Sequence, residues 1–393
     1  MTTEAALGGA RRLRDLWRLD AVSSATPLRA RPLQQRRRRI AWLRHAFQIF
    51  TALVTLGIGY EFVRWVRALE AGHAAGARPA GVEGFLPIAA LMSLRHLWMT
   101  GEVHGVHPAG LVILLAVLGA SLVLKKAFCS WLCPIGTLSE ALAAIAGKAF
   151  GGRVALPRLF DVPLRGLKYL LLAFFMHAIF VSMRASDLAA FLDSPYHRVA
   201  DIKMLYFFER LSPFALKVLA GLAAFSLLLP YFWCRYLCPY GALLGAASLL
   251  SPLKVTRHAP SCIDCGLCAA ACPSNLPVDR LARVRSDECS GCLSCVAACP
   301  VNRALRVETP GPWRAQVRPA PFALLLLLVF GGTIAVGRAV GLWGNAITNE
   351  EYAARIREID DPRYGHAGGR PALGEADPRS LARKESIHAA TDR

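Results

Sequence analysis

The stretch of sequence that decides the fold runs from residue 262 to residue 300 and reads CIDCGLCAAACPSNLPVDRLARVRSDECSGCLSCVAACP. It contains two copies of the spacing CxxCxxCxxxCP, which end at Pro273 and Pro300. Structural zinc sites use four ligands as two pairs, which leaves the third cysteine and the Cys-Pro dipeptide of each copy unexplained. The spacing instead predicts thiolate ligands for iron–sulfur clusters.

The two copies together predict two [4Fe–4S] clusters. In bacterial two-cluster ferredoxins three close thiolates bind one cluster and the fourth binds the other. One cluster is then expected to take Cys262, Cys265, Cys268 and Cys299, and the second Cys289, Cys292, Cys295 and Cys272. Residues 256–312 are therefore predicted to form a small α+β ferredoxin domain of βαββαβ type.

The rest of the chain has the composition of a membrane protein. Of its 393 residues 54% are hydrophobic and 19% charged, and its mean hydropathy is +0.38, whereas soluble domains carry about 25% charged residues. A membrane-spanning helix needs about 20 mostly apolar residues. Five stretches approach this length: 44–63, 107–126, 165–183, 213–233 and 320–341. The fold class predicted is an α-helical membrane protein of about five transmembrane helices with an inserted two-cluster ferredoxin domain.

The net charge of +19 predicts an orientation. If residues 1–43 are cytoplasmic, the inner segments contain 28 Lys and Arg and the outer segments 16, while the acids divide as 10 inside and 17 outside. An excess of basic residues on the cytoplasmic side is typical of proteins of the bacterial inner membrane. The ferredoxin domain is then cytoplasmic, where thiols stay reduced, and the C-terminus is periplasmic. This distribution also argues against nucleic acid as a partner.

An internal repeat surrounds the other four cysteines. FCSWLCPIGTL at 128–138 and WCRYLCPYGAL at 233–243 share cysteine, leucine, proline and glycine in one frame. Each copy follows a predicted span, which predicts two parallel repeats. The chain is expected to consist, in order, of a basic segment 1–43, a first membrane repeat 44–163, a second membrane repeat 164–255, the ferredoxin domain 256–312, a final transmembrane helix 320–341 and a periplasmic tail 342–393.

Three interpretations of Cys129, Cys133, Cys234 and Cys238 remain open. They could form a third metal or iron–sulfur site, a redox dithiol or transient copper site, or a set of buried packing cysteines. Pro134 and Pro239 suit the first position of a following helix, which leaves the preceding cysteine at the positive end of that helix.

Histidines supply the other candidate ligands. His45 and His177 fall within predicted spans, at the inner edge and about twelve residues from the inner end of the helix respectively, a difference in depth that disfavours a haem bound by both. The outer segments contain His96, His104, His107 and His197. These outer histidines either line a quinol pocket or serve as polar groups beside an aromatic belt.

These motifs resemble a known family over roughly residues 40–340. FCSWLCPIG, WCRYLCPYG and the two CxxCxxCxxxCP runs are similar to those of the membrane polyferredoxins, the family of NapH, NosR and CcoG, and the phrase SPYHRVAD at 194–201 looks like the NosR branch. The resemblance implies an electron carrier coupled to membrane quinol, a component of a quinol dehydrogenase.

The predicted function is therefore iron–sulfur electron transfer in the membrane, between the quinol pool and a partner reductase, cytochrome or assembly protein. No nucleophile, acid–base pair or phosphate-binding loop is evident in the sequence, so any catalysis would be redox chemistry of the cofactors. Two alternatives stay open. One is a copper-reducing or metal-site maturation factor that uses the four repeat cysteines, and the other is a redox-sensing regulator.

Overall fold

The computed structural model describes residues 27–149, 156–301, 303–311 and 315–365. Residues 1–26 of the predicted basic segment and 366–393 of the predicted tail lie outside the described residues. The chain is mostly helical. Its helices are α1 (Pro27–Glu70), α2 (Pro87–Thr100), α3 (Pro108–Leu124), α4 (Ala127–Trp131), α5 (Pro134–Ala149), α6 (Arg158–His177), α7 (Ala185–Leu192), α8 (Pro195–Arg198), α9 (Ala200–Glu209), α10 (Pro213–Leu228), α11 (Pro239–Ser248), α12 (Leu267–Ala270), α13 (Ser294–Ala298), α14 (Pro319–Ala339) and α15 (Asn349–Arg357).

Three helices among the described residues are long and apolar enough to cross a membrane. They cover Arg37–Glu70 in α1, Leu159–Ser182 in α6 and the π-helical turn that follows it, and Pro319–Ala339 in α14. Their surfaces are largely exposed in the isolated chain, as expected for helices that face lipid. By length and composition, these three helices are candidate membrane spans.

The other two predicted spans have different forms. The stretch 107–126 contains α3, whose 17 residues are short for a span, and α3 packs against α2, α11 and α14 at the centre of the bundle. The stretch 213–233 contains α10, which meets α9 at a bend of 83°. If that bent pair crosses the membrane as one unit, four spans result. Five transmembrane helices therefore remain a prediction.

The ferredoxin segment folds on an antiparallel sheet beside the bundle. Strand β1 (Lys254–Arg257) pairs with β2 (Leu305–Glu308), which pairs with β3 (Gln316–Val317). The short helices α12 and α13 each begin within a cysteine motif. An isolated bridge joins Thr256 to Arg283. Strands β1 and β3 are the edges of this sheet, and both cysteine motifs lie in the chain between the paired strands β1 and β2.

A second packed region lies at the opposite end of the bundle. It joins the end of α1 to α9 and to α15 from the predicted tail, and Trp65 packs edge-on against the fully buried Tyr352. Arg78, 6% exposed at its side chain, pairs there with Glu83 and Asp201. The described part of the tail is therefore folded against this end.

Candidate electron-transfer site

Four cysteines of the ferredoxin segment surround one cavity. Cys262, Cys265 and Cys268 line it from the first motif, and Cys299 lines it from the second. Cys265 is exposed, and Ile263 beside it is 64% exposed. The edge of this first cavity therefore opens to solvent.

The other four cysteines of the segment surround a second cavity. Cys289, Cys292 and Cys295 line it from the second motif, and Cys272 lines it from the first. Each cavity has about 360 Å³ of empty space, partly continuous with solvent. The eight thiols are thus grouped in the division that the spacing predicts, and their binding of clusters stays a prediction.

The spacing of these thiols fits a cluster better than a single ion. Among the residues that the structure describes, no three His, Cys, Asp or Glu side chains approach closely enough to hold one metal ion. A cube of iron and sulfide needs four thiolates spread around a cavity, since each binds a different iron. The two cavities offer that arrangement.

The four cysteines of the repeated phrase also lie together. Each of Cys129, Cys133, Cys234 and Cys238 is close enough to the other three to interact electrostatically. All four cysteines are half-buried, and Ser139 Oγ lies 3.4 Å from Cys234 Sγ. The two halves of the membrane domain therefore present one group of thiols, named here the thiol quartet.

Backbone N–H groups approach two of these sulfurs in the same way. The N–H groups of Ile135 and Gly136 donate to Cys133, and that of Gly241, at 3.2 Å, donates to Cys238 together with its neighbour Tyr240. Helix α5 begins at Pro134 and helix α11 at Pro239, directly after these two cysteines, as the sequence predicts. Such donors stabilise a thiolate at a helix N-terminus.

Gly136 is required by this geometry. A Cβ on Gly136 would lie 2.0 Å from the carbonyl oxygen of Cys129, a backbone atom that cannot move aside. The repeated glycine therefore lets the first turn of α5 pack directly on the peptide of the preceding cysteine.

Neither predicted span continues as one uninterrupted helix to its cysteine pair, since α3 ends at Leu124 and α10 at Leu228. Helix α3 ends at Leu124 because Lys125 has a positive φ of 61°, and Cys129 lies on the separate helix α4. Lys125 and Lys126 are only 2% and 6% exposed, because Lys125 Nζ donates to the carbonyl of Ser286 and Lys126 pairs with Glu288 of the ferredoxin domain.

Helix α4 contacts the loop of the second cavity directly. Ser130 Oγ donates to the carbonyl of Ser290 at 2.7 Å, and Trp131 Nε1 donates to that of Gly291 at 3.1 Å. Gly291 has φ +61°, and a Cβ there would lie 3.1 Å from the Leu124 carbonyl oxygen. Glycine therefore allows this loop to approach the C-terminal end of α3. The thiol quartet and the second cavity are joined through two neighbouring peptide segments.

Charged side chains fix the same interface. Glu288 pairs with the fully buried Lys168 and with Lys126 at 3.7 Å. Tyr169 donates a hydrogen bond to Asp287. Burial raises the pKa of the Asp287 carboxyl, but the Tyr169 hydroxyl and the two lysines outweigh it and hold that pKa below its ordinary value. Both carboxylates that precede Cys289 are thus bound by side chains of the membrane domain.

A chain of hydrogen-bonded polar side chains from α1 also lies at the interface between the ferredoxin and membrane domains. Arg44 pairs with Glu140 of α5 and donates to Ser294 Oγ at 3.0 Å. Gln48 Nε2 donates to the carbonyl of Ser130 at 3.0 Å and to Glu140 at 2.8 Å, and its Oε1 lies 3.0 Å from His45 Nδ1.

The outer histidines form two contacting pairs. The rings of His107 and His197 lie edge-to-face at 5.0 Å, and those of His96 and His104 at 5.3 Å. Burial lowers the pKa of His197 well below its ordinary value, and the neighbouring His107 lowers it further. His197 Nδ1 donates to the carbonyl of Leu192 at 3.0 Å, so the ring is neutral and buried.

Several of these residues were missed by sequence reasoning. Lysines at the inner ends of spans are expected from charge asymmetry alone, so nothing marked Lys126 or Lys168 as an interface residue. Glu140 was the available signal, because it is a carboxylate within the apolar stretch 135–150.

Comparison with protein-family models identifies iron–sulfur domains in both regions. A model described as "4Fe-4S binding domain" matches residues 106–153 and again 211–258, the two segments that contain the thiol quartet. A model described as "4Fe-4S dicluster domain" matches residues 254–300. No solved structure matches the chain.

Three curated relatives resemble the chain, one of them over nearly its whole length. It is 44% identical to "Putative electron transport protein YccM" of Escherichia coli over 85% of this chain and 94% of the relative. It is 31% identical to "Protein NirI" of Paracoccus denitrificans over 53% of this chain and 30% of that protein. It is 32% identical to "Regulatory protein NosR" of Pseudomonas aeruginosa over 46% of this chain and 24% of that protein. The chain therefore belongs to the NapH/NosR-like family of 4Fe–4S proteins, and it is an iron–sulfur electron-transfer protein with candidate membrane-spanning helices.

Proposed function

We propose that the chain oxidises membrane quinol and passes the electrons, through the thiol quartet and two ferredoxin clusters, to a partner reductase, cytochrome or assembly protein. The observation that carries this proposal is the direct contact of helix α4 with the loop of the second cavity, through Ser130 and Trp131. The second cavity lies next to the membrane domain, and the first opens to solvent at Cys265. The order of sites runs from the membrane outward.

The ferredoxin residues have these roles in the proposal. Cys262, Cys265, Cys268 and Cys299 hold the solvent-side [4Fe–4S] cluster, and Cys289, Cys292, Cys295 and Cys272 hold the membrane-side cluster. Each bound cluster accepts and donates one electron at a time. The chain itself supplies the thiol ligands and fixes the ferredoxin domain against the membrane domain through Ser130 and Trp131.

The thiol quartet is proposed to hold a third iron–sulfur cluster. Its support is the mutual proximity of the four thiols, the paired N–H donors at Cys133 and Cys238, and the match of both segments to an iron–sulfur domain model. A copper-reducing site is the second interpretation. It has less support, because no three ligands among the described residues converge on a single-ion position.

The proposed setting is the bacterial inner membrane, with several passes and the ferredoxin domain in the cytoplasm. The support is the excess of basic residues in the segments on the ferredoxin side. Lys126, Lys168 and Arg44 also contact the ferredoxin domain, so part of this positive charge has a structural role as well.

The thiol quartet is tested by Cys133→Ser and Cys238→Ser, alone and together. Wild-type protein prepared without oxygen should contain about twelve iron atoms per chain, and each variant about eight, because the ferredoxin ligands are untouched. Each single variant should abolish reduction of the ferredoxin clusters by quinol, and the double variant should add little, since members of one unit are not additive.

The matched control is Ser139→Ala, which removes a neighbour of Cys234 and no thiol. It should keep the iron content and most of the rate. Eight iron atoms in the wild type together with normal rates in both cysteine variants would reject the role of the thiol quartet.

A further inference from the structure

We propose that quinol binds at the inner leaflet against His45 of α1, whose Nε2 accepts the hydroxyl proton of the quinol headgroup. This inference deepens the proposed function and rests on it.

His45 lies within an apolar surface that faces lipid. Trp42 is 72% exposed, Ile49 60% and Leu53 63%, and His45 is itself exposed between them. Residues three and four apart share one face of a helix, so these side chains form one stripe along α1. An isoprenoid tail can lie along that stripe while the headgroup meets the ring of His45 at the inner interface.

The polar chain behind His45 determines which ring nitrogen is free. Gln48 is 3% exposed, and its Nε2 donates to both the Ser130 carbonyl and the Glu140 carboxylate. Its Oε1 must therefore face His45 Nδ1, which carries the proton and donates to it at 3.0 Å. His45 Nε2 is left as an acceptor on the exposed side of the ring. A quinol hydroxyl that enters from the lipid phase can donate a hydrogen bond to this nitrogen.

The same segment of α1 touches the electron acceptors. Arg44 donates to Ser294 Oγ at 3.0 Å and to the carbonyl of Cys292 at 3.5 Å, in the loop of the second cavity. Phe47 packs edge-on against Trp131 with ring centroids 5.7 Å apart. A headgroup at His45 is thus adjacent to Arg44, which contacts the loop of the membrane-side cavity, and to Phe47, which contacts Trp131 between Cys129 and Cys133.

The outer histidines are less well placed for this reaction. His107 precedes α3, and the thiol quartet follows its other end. The 17 residues of α3 separate the two by about 25 Å at 1.5 Å per residue. His197 belongs to the same outer group and is buried.

Quinol bound at His45 loses two electrons and two protons and becomes quinone. The electrons leave one at a time to the oxidised iron–sulfur sites. One hydroxyl proton passes to His45 Nε2, and the other passes to water at the headgroup boundary. The exposed imidazolium then releases its proton to the same water, so the ring returns to its starting state.

The test compares His45→Leu with His177→Leu. Both histidines are exposed and lie on candidate spans, at opposite ends of the membrane domain, and leucine suits a position facing lipid. The variants are placed in nanodiscs and mixed without oxygen with decylubiquinol. We expect His45→Leu to slow reduction of the clusters by about 100-fold or more, the usual range for loss of a proton-accepting group. His177→Leu should match the wild type, and dithionite should reduce the clusters equally in all three.

Photolabelling with an azidoquinone gives a readout independent of turnover. The label should attach to residues 40–50 in the wild type and in His177→Leu, and it should be lost from His45→Leu. Equal quinol rates in all three proteins, or a label on other segments only, would overturn the His45 site. If quinol fails to reduce even the wild type, the proposed function fails, and the labelling still decides whether quinone binds at His45.

Discussion

Glu288→Gln should loosen the ferredoxin domain from the membrane domain. Glu288 is 7% exposed, and its carboxylate compensates two buried ammonium groups, on Lys168 and Lys126. The variant leaves both charges buried without this partner. Breaking a buried ion pair in this way typically costs about 3–5 kcal/mol. At about 1.4 kcal/mol per factor of ten, clusters should be lost roughly 100- to 4000-fold faster on heating.

The assay is the decay of the visible absorbance of the clusters at one elevated temperature, in nanodiscs. The control is Glu308→Gln, which removes a buried carboxylate of the same domain whose partner Arg306 is partly exposed. It should have a smaller effect. The double variant Glu288→Gln/Lys168→Met should recover much of the loss, because it removes the most deeply buried unpaired charge. If Glu288→Gln decays no faster than Glu308→Gln, this ion-pair cluster does not hold the domain in place.

Three further predictions concern topology and the two ends of the bundle. A reporter fused after Leu305 should be active only in the cytoplasm and one fused after Glu350 only outside, and both on one side would refute the orientation. Below about pH 6.5 the unfolded wild type binds a proton at His197 that the buried ring of the folded state does not, so its thermal stability should fall. His197→Asn keeps a donor for the Leu192 carbonyl but cannot titrate, so it should abolish this loss of stability. An unchanged dependence of thermal stability on pH would contradict this. Trp131→Phe should cost about 1–3 kcal/mol by the same decay assay, since it strands a buried carbonyl, and wild-type decay would show that the bond contributes nothing.

The ferredoxin cysteines were the most predictable part of the site. Their division between two cavities follows from spacing, because cluster ligation restricts which thiols can meet. The grouping of Cys129 with Cys234 also follows from the repeat, since two related halves place equivalent residues at one interface. Such inferences need only local pattern and symmetry.

The docking of the ferredoxin domain was not predictable in this way. Lys125 has the same sequence signature whether it extends to lipid headgroups or, as here, donates to the carbonyls of Ser248 and Ser286. The packing of Tyr352 likewise depends on contacts with α1, far away in sequence. Partners distant along the chain leave no periodic signal in either segment.

Reduction of the clusters by quinol tests the central claim most directly. Wild-type protein in nanodiscs is mixed without oxygen with decylubiquinol, and frozen samples are examined by electron paramagnetic resonance. The account predicts signals of reduced [4Fe–4S] clusters that appear with quinol alone and are lost in the Cys133→Ser/Cys238→Ser variant. Clusters that dithionite reduces fully, but that quinol leaves oxidised in the wild type, would contradict it.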